Sequence, residues 1–378
     1  MRHLWTGEEM RAKRYVIYCY PIWHTVSFSL IARKHIEQLR RYTKVYEWDE
    51  LNLPDIYPVK EYTLFVHPLF GATWRWCQQL RLAESNLDKA VENLSKRFEK
   101  YEKVIGIDVA DSDRMSDIAV KLTEVYDEVI VPSNFARQSY VNSGVKVPVR
   151  VVPHGLDVEW YEGRPKTLAD ISNQALRILW QLKRVTRKKL LLFWMWHSPE
   201  RKGWPEVLAF YERLREERDD VALVVKSGAP LDMDAERAKR LEIINIFGWL
   251  TEEEKMFLYD ICDLTLLFSR GGGFELNGLE SLARGVPAIG HRKGAWTDYM
   301  PDWLLLREGL KVRVFLDNHI HVGYGYTVDV DDALDKACEI LDNLDEYKAR
   351  TKEYANTHLK PRFNWRRVGE ILWRIAVG

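Results

Sequence analysis

The sequence predicts an α/β protein made of two successive strand-and-helix arrays, each a parallel sheet covered by helices on both faces. Three observations lead there. Apolar runs of strand length alternate with stretches of helical spacing along most of the chain. A polar, weakly patterned stretch from Glu162 to Asn173 divides that alternation in two. A strand also feeds a helix directly through three consecutive glycines, Gly271, Gly272 and Gly273.

In the first array, Tyr15 to Tyr20 reads as a strand, Leu30 to Tyr42 as an amphipathic helix, and Lys44 to Glu47 and Tyr62 to Val66 as further strands. Gln78 to Tyr101 is a long charged helix or helix pair. Val104–Ile107, Glu128–Val131 and Val149–Val152 are strand candidates, with helical spacing from Met115 to Tyr126 and from Asn134 to Asn142. In the second array, strands are expected at Leu190–Trp196, Val221–Val225, Glu242–Ile246, Asp263–Phe268 and Val286–Ile289. Its helices are expected at Trp204–Glu217, Thr251–Ile261, Gly278–Arg284 and Asp332–Leu341, and a last helix spans Trp365 to Ile375.

The 378 residues suffice for two domains, each with its own core. We place one at 1–165, the second at 174–359, and a terminal segment at 360–378. With 30% charged and 46% hydrophobic residues, the chain reads as soluble and globular. Lys plus Arg and Asp plus Glu both number 56, so no overall basic field draws in nucleic acid. Four scattered cysteines signal neither a zinc site nor a disulfide framework, and a reducing cytoplasm is the expected location. The polar residues Met1–Met10 and the short apolar run ending at Pro21 do not suit a signal peptide. No segment approaches the roughly 18 apolar residues of a membrane span. Peripheral contact with a membrane stays open, and the oligomeric state is not set by the sequence.

The richest stretch runs from Ser269 to Pro287. Glycines let a ligand approach the main chain without a Cβ in the way, and the unpaired N–H groups of a helix start attract phosphate. Glu280, one turn in, either grips a hydroxyl or completes a capping box with Asn277. A second group of candidates is His197-Ser-Pro-Glu-Arg-Lys-Gly203, where Arg201 and Lys202 either sit in a solvated loop or neutralise an anion. Lys226 is another cation at a strand end. Val131-Pro-Ser-Asn-Phe135 and Val152-Pro-His-Gly-Leu-Asp157 are turns by themselves, with Ser133 a helix cap.

Taken in this order, the motifs resemble the retaining glycosyltransferases of the GT-B fold (family 4, glycosyl transferases group 1). The resemblance implies two Rossmann-like domains facing a cleft, with the last helix crossing back to the first domain. By resemblance Glu280 holds the ribose of a nucleotide sugar, while backbone near Gly272, Gly273, Phe274, Leu276 and Asn277 faces its phosphates or sugar. The family's Arg-x4-Lys-Gly segment maps onto Lys202 and Gly203, with His197 at the arginine position and Arg201 as an added cation. Gly248, in Ile246-Phe-Gly-Trp-Leu250, falls in the turn beside the nucleobase, or is a plain turn into a helix capped by Thr251. The sequence departs from the family in one respect: Gly272 stands where the first of two glutamates is usual, and Glu275 is extra, with no role to inherit.

Asp108, at the end of a strand, is the preferred cleft carboxylate of the first domain; His24, His67 and Asp111 are weaker candidates. Asp-x-Asp occurs three times, at Asp111, Asp232 and Asp329, so it points to no metal. The resemblance thus implies metal-independent transfer of a hexose from a nucleoside diphosphate sugar, a co-substrate rather than a cofactor, to a hydroxyl of a glycan, lipid or protein. Two alternatives stay open: a catalytically silent relative that binds nucleotide sugar or glycan, and an epimerase or phosphorylase on the same fold.

Overall fold

The computed structural model describes residues 14–24, 26–54, 61–80 and 86–378; the polar Met1–Met10 reading lies outside them. Six strands, β1 (Tyr15–Tyr20), β2 (Val45–Asp49), β3 (Tyr62–Val66), β4 (Lys103–Ile107), β5 (Glu128–Val131) and β6 (Val149–Val151), form one sheet in the order β2-β1-β3-β4-β5-β6. Every pair in it is parallel. Six more, β7 (Lys189–Met195), β8 (Val221–Ser227), β9 (Ile243–Phe247), β10 (Leu264–Leu267), β11 (Ala288–His291) and β12 (Leu305–Leu306), form a second parallel sheet in the order β12-β11-β10-β7-β8-β9. This is the predicted α/β class.

Burial explains why the strands were readable. Strands covered on both faces need continuous apolar runs, and β8 is buried along its whole length, Lys226 included. In each sheet the strand order reverses once, between β1 and β3 and between β7 and β10. Connections leave such a point in opposite directions, which opens a crevice at the carboxyl ends of the strands.

Within the stretch expected to be helical, Gln78–Tyr101, the structure has one helix, Leu87–Phe98, capped by Asn86; a helix the pattern did not reveal, Leu69–Gln79, ends where that stretch begins, and residues 81–85 lie outside the described residues. The helix expected from Met115 is shorter, Asp117–Thr123, because Ser116 caps it by accepting from Ala119 N. Asn173, at the end of the expected linker, caps a helix, Gln174–Thr186, that the pattern did not reveal. Also unforeseen is an antiparallel hairpin, β13 (Glu308–Arg313) and β14 (Tyr324–Val328). β13 has no buried residue and so carries little hydrophobic signal, and β14 is buried at Gly325, Thr327 and Val328 alone, too short an apolar run to stand out.

The last helix, Trp365–Val377, lies against the helix Ser27–Leu39 of the first sheet. Its Trp365, Val368, Leu372 and Ile375 join Val16, Tyr18, Ile31 and Ile36 in one buried cluster. Thr63 Oγ1 donates to the carbonyl of Ala376 at 2.8 Å, tying the chain end to β3. Among the described residues, no helix is long and apolar enough to cross a membrane.

Candidate functional site

The second reversal point carries the candidate site. Beyond β7 the chain makes a short helix, Pro199–Lys202, between two left-handed residues, Ser198 and Gly203. Gly203 has φ +81°, and a Cβ there would stand 2.0 Å from the carbonyl oxygen of Phe268. Only glycine lets this turn lie against the end of β10. Arg201 then spans to the next loop: its carbonyl accepts from Arg270 N at 2.8 Å, and its Nη1 donates to Gly271 O at 3.0 Å.

The glycine triplet was expected to admit a sugar. The structure corrects this, because protein already fills the space beside each glycine. A Cβ on Gly271 would meet Asp111 O at 2.0 Å, one on Gly273 would meet Val109 Cβ at 2.6 Å, and one on Gly272 would meet Glu275 Oε1 at 2.3 Å. Gly271 and Gly273 therefore let the loop after β4 press onto the loop after β10. Both polar groups of Gly273 are taken from that side: its N–H donates to Asp111 Oδ1 at 3.0 Å, and its carbonyl accepts from Ser133 Oγ at 2.7 Å.

Two cations and two carboxylates meet here. Lys202 Nζ donates to both oxygens of Glu275, at 2.6 and 2.8 Å, and Ser269 Oγ donates to Oε1 at 2.8 Å. Arg201 Nη1 lies 3.7 Å from Asp111 Oδ2 and 4.0 Å from Glu275 Oε1. Burial raises the pKa of both carboxylates, but the neighbouring cations outweigh it and hold both below the usual range: Arg201, His321 and Lys202 for Asp111, Lys202 and Arg201 for Glu275. For Lys202 burial wins, and its pKa is lowered despite Glu275. Among the described residues, buried Arg201 Nε has no hydrogen-bond partner.

The hairpin covers this cluster. Phe315, in its loop, lies 5.7 Å from the Arg201 guanidinium, and the His321 ring is 6.0 Å from that of Phe315. The loop is tied to the first sheet's side by backbone bonds: Asp113 N to Tyr324 O and Ser116 N to Ile320 O, both at 2.9 Å. Tyr324 N also donates to Asp113 Oδ1 at 2.7 Å.

The remaining candidates distribute as follows. The helix after the glycines is Leu276–Ala283, starting two residues before the expected Gly278. Asn277 is thus inside it and cannot cap it, which removes the capping-box reading of Glu280. Glu280 is buried and accepts from Tyr259 Oη at 2.9 Å and Lys255 Nζ at 3.2 Å. Burial nonetheless raises its pKa. Phe274 is buried, its ring 4.8 Å from that of His154, and Leu276 packs against the first sheet's cluster. His197 flanks the cations and shares a 2.9 Å hydrogen bond with Ser198 Oγ; burial, then Arg201 and Lys202, lowers its pKa.

Two candidates are turned to other work. Lys226 is buried, its ammonium bonded to the carbonyls of Ser227 and Gly248 at 3.0 and 2.5 Å, and burial lowers its pKa to about 8. It braces the Gly248 turn, where Gly248 has φ +84°, and its ammonium lies 4.9 Å from the centre of the Trp196 ring. Asp108 is corrected more strongly. Its carboxylate accepts from Phe70 N at 3.0 Å and Val109 N at 2.8 Å, so it serves the start of the helix Leu69–Gln79. Burial pushes its pKa up to about 7.

The carboxylate that reaches the cations is Asp111, three residues further on. Its sequence signal, a place just after the β4 strand, made it a weaker cleft candidate than Asp108, and its Asp-x-Asp with Asp113 carried no weight because that pattern occurs three times. Of the histidines, His24 is exposed and His67 is buried against Tyr18, whose Oη lies 3.2 Å from His67 Nδ1. Thr251 does cap the next helix, in a full capping box with Glu254. Among the described residues, no three His, Cys, Asp or Glu side chains are grouped to hold a metal ion.

Beside this cluster, Trp196 and Trp249 pair at the carboxyl ends of β7 and β9, ring centroids 4.7 Å apart. Both have surface open to solvent.

No protein-family model matches the chain. It is 33% identical over 349 residues to uncharacterised protein 356 of Sulfolobus islandicus rod-shaped virus 1, covering 90% of this chain and 92% of that one. A protein of Sulfolobus islandicus filamentous virus, provisionally named glycosyltransferase 45, is 26% identical over 279 residues, covering 71% and 73%. Among solved structures, Anabaena HepE in complex with UDP and glucose superposes with a TM-score of 0.62 at 12% identity, covering 96% of this chain and 99% of that one.

Proposed function

This chain belongs to the glycosyltransferases of the GT-B fold, and from that premise we propose that it moves a hexose from a nucleoside diphosphate sugar to a hydroxyl acceptor, without a metal and with retention of configuration. One observation carries the reading: Arg201, buried, and Lys202, half-buried, stand side by side at the carboxyl ends of β7 and β10, and among the described residues the Nε of Arg201 has no partner. A buried guanidinium with an unused donor suits an oxyanion. A departing nucleoside diphosphate gathers negative charge, and fixed cations stabilise that charge as it forms.

Around them the other groups take roles by position. Glu280, already fixed by Tyr259 and Lys255, offers a carboxylate to ribose hydroxyls. Trp196 and Trp249 offer an aromatic face to the base. Support for a nucleotide-sugar donor comes from HepE, which is described with UDP and with UDP-glucose. Retention, by analogy with related transferases, has the acceptor attack from the face the diphosphate leaves, the diphosphate taking its proton.

The test is thermal stabilisation of the protein by UDP-, GDP-, ADP- and dTDP-sugars, with release of nucleoside diphosphate followed in the same wells. Stabilisation by one donor with release, and an α-linked product from an α-linked donor, is the expected result. Stabilisation without release after acceptors are added favours a silent binder. No stabilisation by any donor removes the assignment.

A further inference from the structure

We propose that the Glu275 carboxylate is an internal counter-ion, standing on Lys202 where the donor's diphosphate binds and giving up that cation when the donor arrives. The inference rests on the assignment of Arg201 and Lys202 as the diphosphate cations.

The backbone is the first sign. Glu275 has φ +62°. A side chain in the left-handed region is strained, so a glutamate persists there only where surrounding structure compensates. The conformation turns its side chain back along the loop, over Gly272. A Cβ at position 272 would stand 2.3 Å from Oε1, so the glycine and the glutamate are a matched pair. Tyr299 Oη secures the turn by donating to the Glu275 carbonyl at 2.6 Å.

Charge gives the second. Arg201 and Lys202 face Asp111 and Glu275, two cations against two carboxylates, so these four groups sum to zero. A buried ammonium without a counter-charge is costly, and Glu275 supplies that charge while the site is empty. A diphosphate brings at least two negative charges to the same cations. It meets repulsion as long as both carboxylates stay in place.

The two carboxylates are not equally free to leave. Asp111 is bound to the Gly273 amide inside the junction between the two loops, and the glycines that allow that contact have no other room. Among the described residues the Glu275 carboxylate is held through side chains, bonded to Lys202 and Ser269 and 4.0 Å from Arg201, and rotation about its own bonds releases it. Glu275 is thus a positioning residue. It keeps Lys202 in place before the donor binds and competes with the donor for it.

The experiment titrates UDP, GDP, ADP, dTDP and inorganic pyrophosphate into the full chain and into Glu275→Gln and Glu275→Gly. Glutamine keeps the shape without the charge; glycine also relieves the left-handed strain, so one folded variant is secured. The expected result is binding at least tenfold tighter in both variants for whichever diphosphate the wild type takes, and for pyrophosphate. Lost contacts would weaken binding, so tightening separates counter-ion from scaffold. Equal or weaker binding by the folded variants overturns the inference while leaving the donor assignment intact. Absence of binding in all three proteins overturns both.

Discussion

Ser133 Oγ and the carbonyl of Gly273 meet at 2.7 Å across the boundary between the two sheets, and the same hydroxyl accepts from Ala136 N at 3.1 Å. One side chain therefore caps the helix Asn134–Asn142 and holds the glycine loop. A Pro-Ser turn that reads as a simple cap is also a tie between the two halves of the molecule.

Ser133→Ala removes both bonds. The cap accounts for about 1 kcal/mol and the buried hydrogen bond for about another 1 kcal/mol. Chemical denaturation is expected to give a loss of about 2 kcal/mol, and Ser133→Thr, which keeps a hydroxyl, about half that or less. A loss of only about 1 kcal/mol, the cap alone, would mean the Gly273 contact contributes nothing.

Glu280→Ala separates donor binding from folding. Its two partners are not stranded: Tyr259 Oη also donates to Asn277 O at 3.1 Å, and Lys255 lies 2.6 Å from Glu252. The fold should survive, with melting little changed. Affinity for the donor should fall by about 1.5–3 kcal/mol, the scale of hydrogen bonds to a charged group. Calorimetric titration of the variant checks it, and unchanged affinity with a lowered melting point would make Glu280 purely structural.

Stability should rise with pH between about 4.5 and 6.5. Burial lowers His67 and His154 to about 3, and lowers His35 as well. Unfolded histidines titrate near 6.5, so in that window the unfolded chain binds protons that the folded one refuses, and acid favours unfolding. Asp108 acts in the opposite sense. Its raised pKa, about 7, gives stability that is full below its unfolded value of about 3.9 and is lost as pH rises through about 7. Three histidines outweigh one carboxylate. Melting temperatures across this range should climb, and His154→Gln should flatten the slope; a flat or falling wild-type profile would contradict the burial argument.

Local pattern determined a good deal. Continuous apolar runs placed the strands, because a strand buried on both faces must be apolar throughout. The runs at Leu190–Trp196 and Val221–Val225 match β7 and β8 closely. Ser133 and Thr251 were legible as caps because capping depends on neighbours three residues away. Lys202 was singled out through the resemblance to an Arg-x4-Lys-Gly segment, with Arg201 only as an added cation beside it.

What only the tertiary structure decided is what faces what. The triplet Gly271–Gly273 announces missing Cβ atoms, but the occupants of that space, Asp111, Glu275 and Val109, come partly from a loop more than a hundred and fifty residues earlier. Asp108 and Asp111 look alike in sequence, yet one meets backbone amides at a helix start and the other meets Arg201. The hairpin that roofs the cations has no buried residue in β13 and no strong period. Periodicity and capping are properties of neighbours along the chain, whereas burial and charge pairing depend on distances through space, which exist only once both sheets are in place.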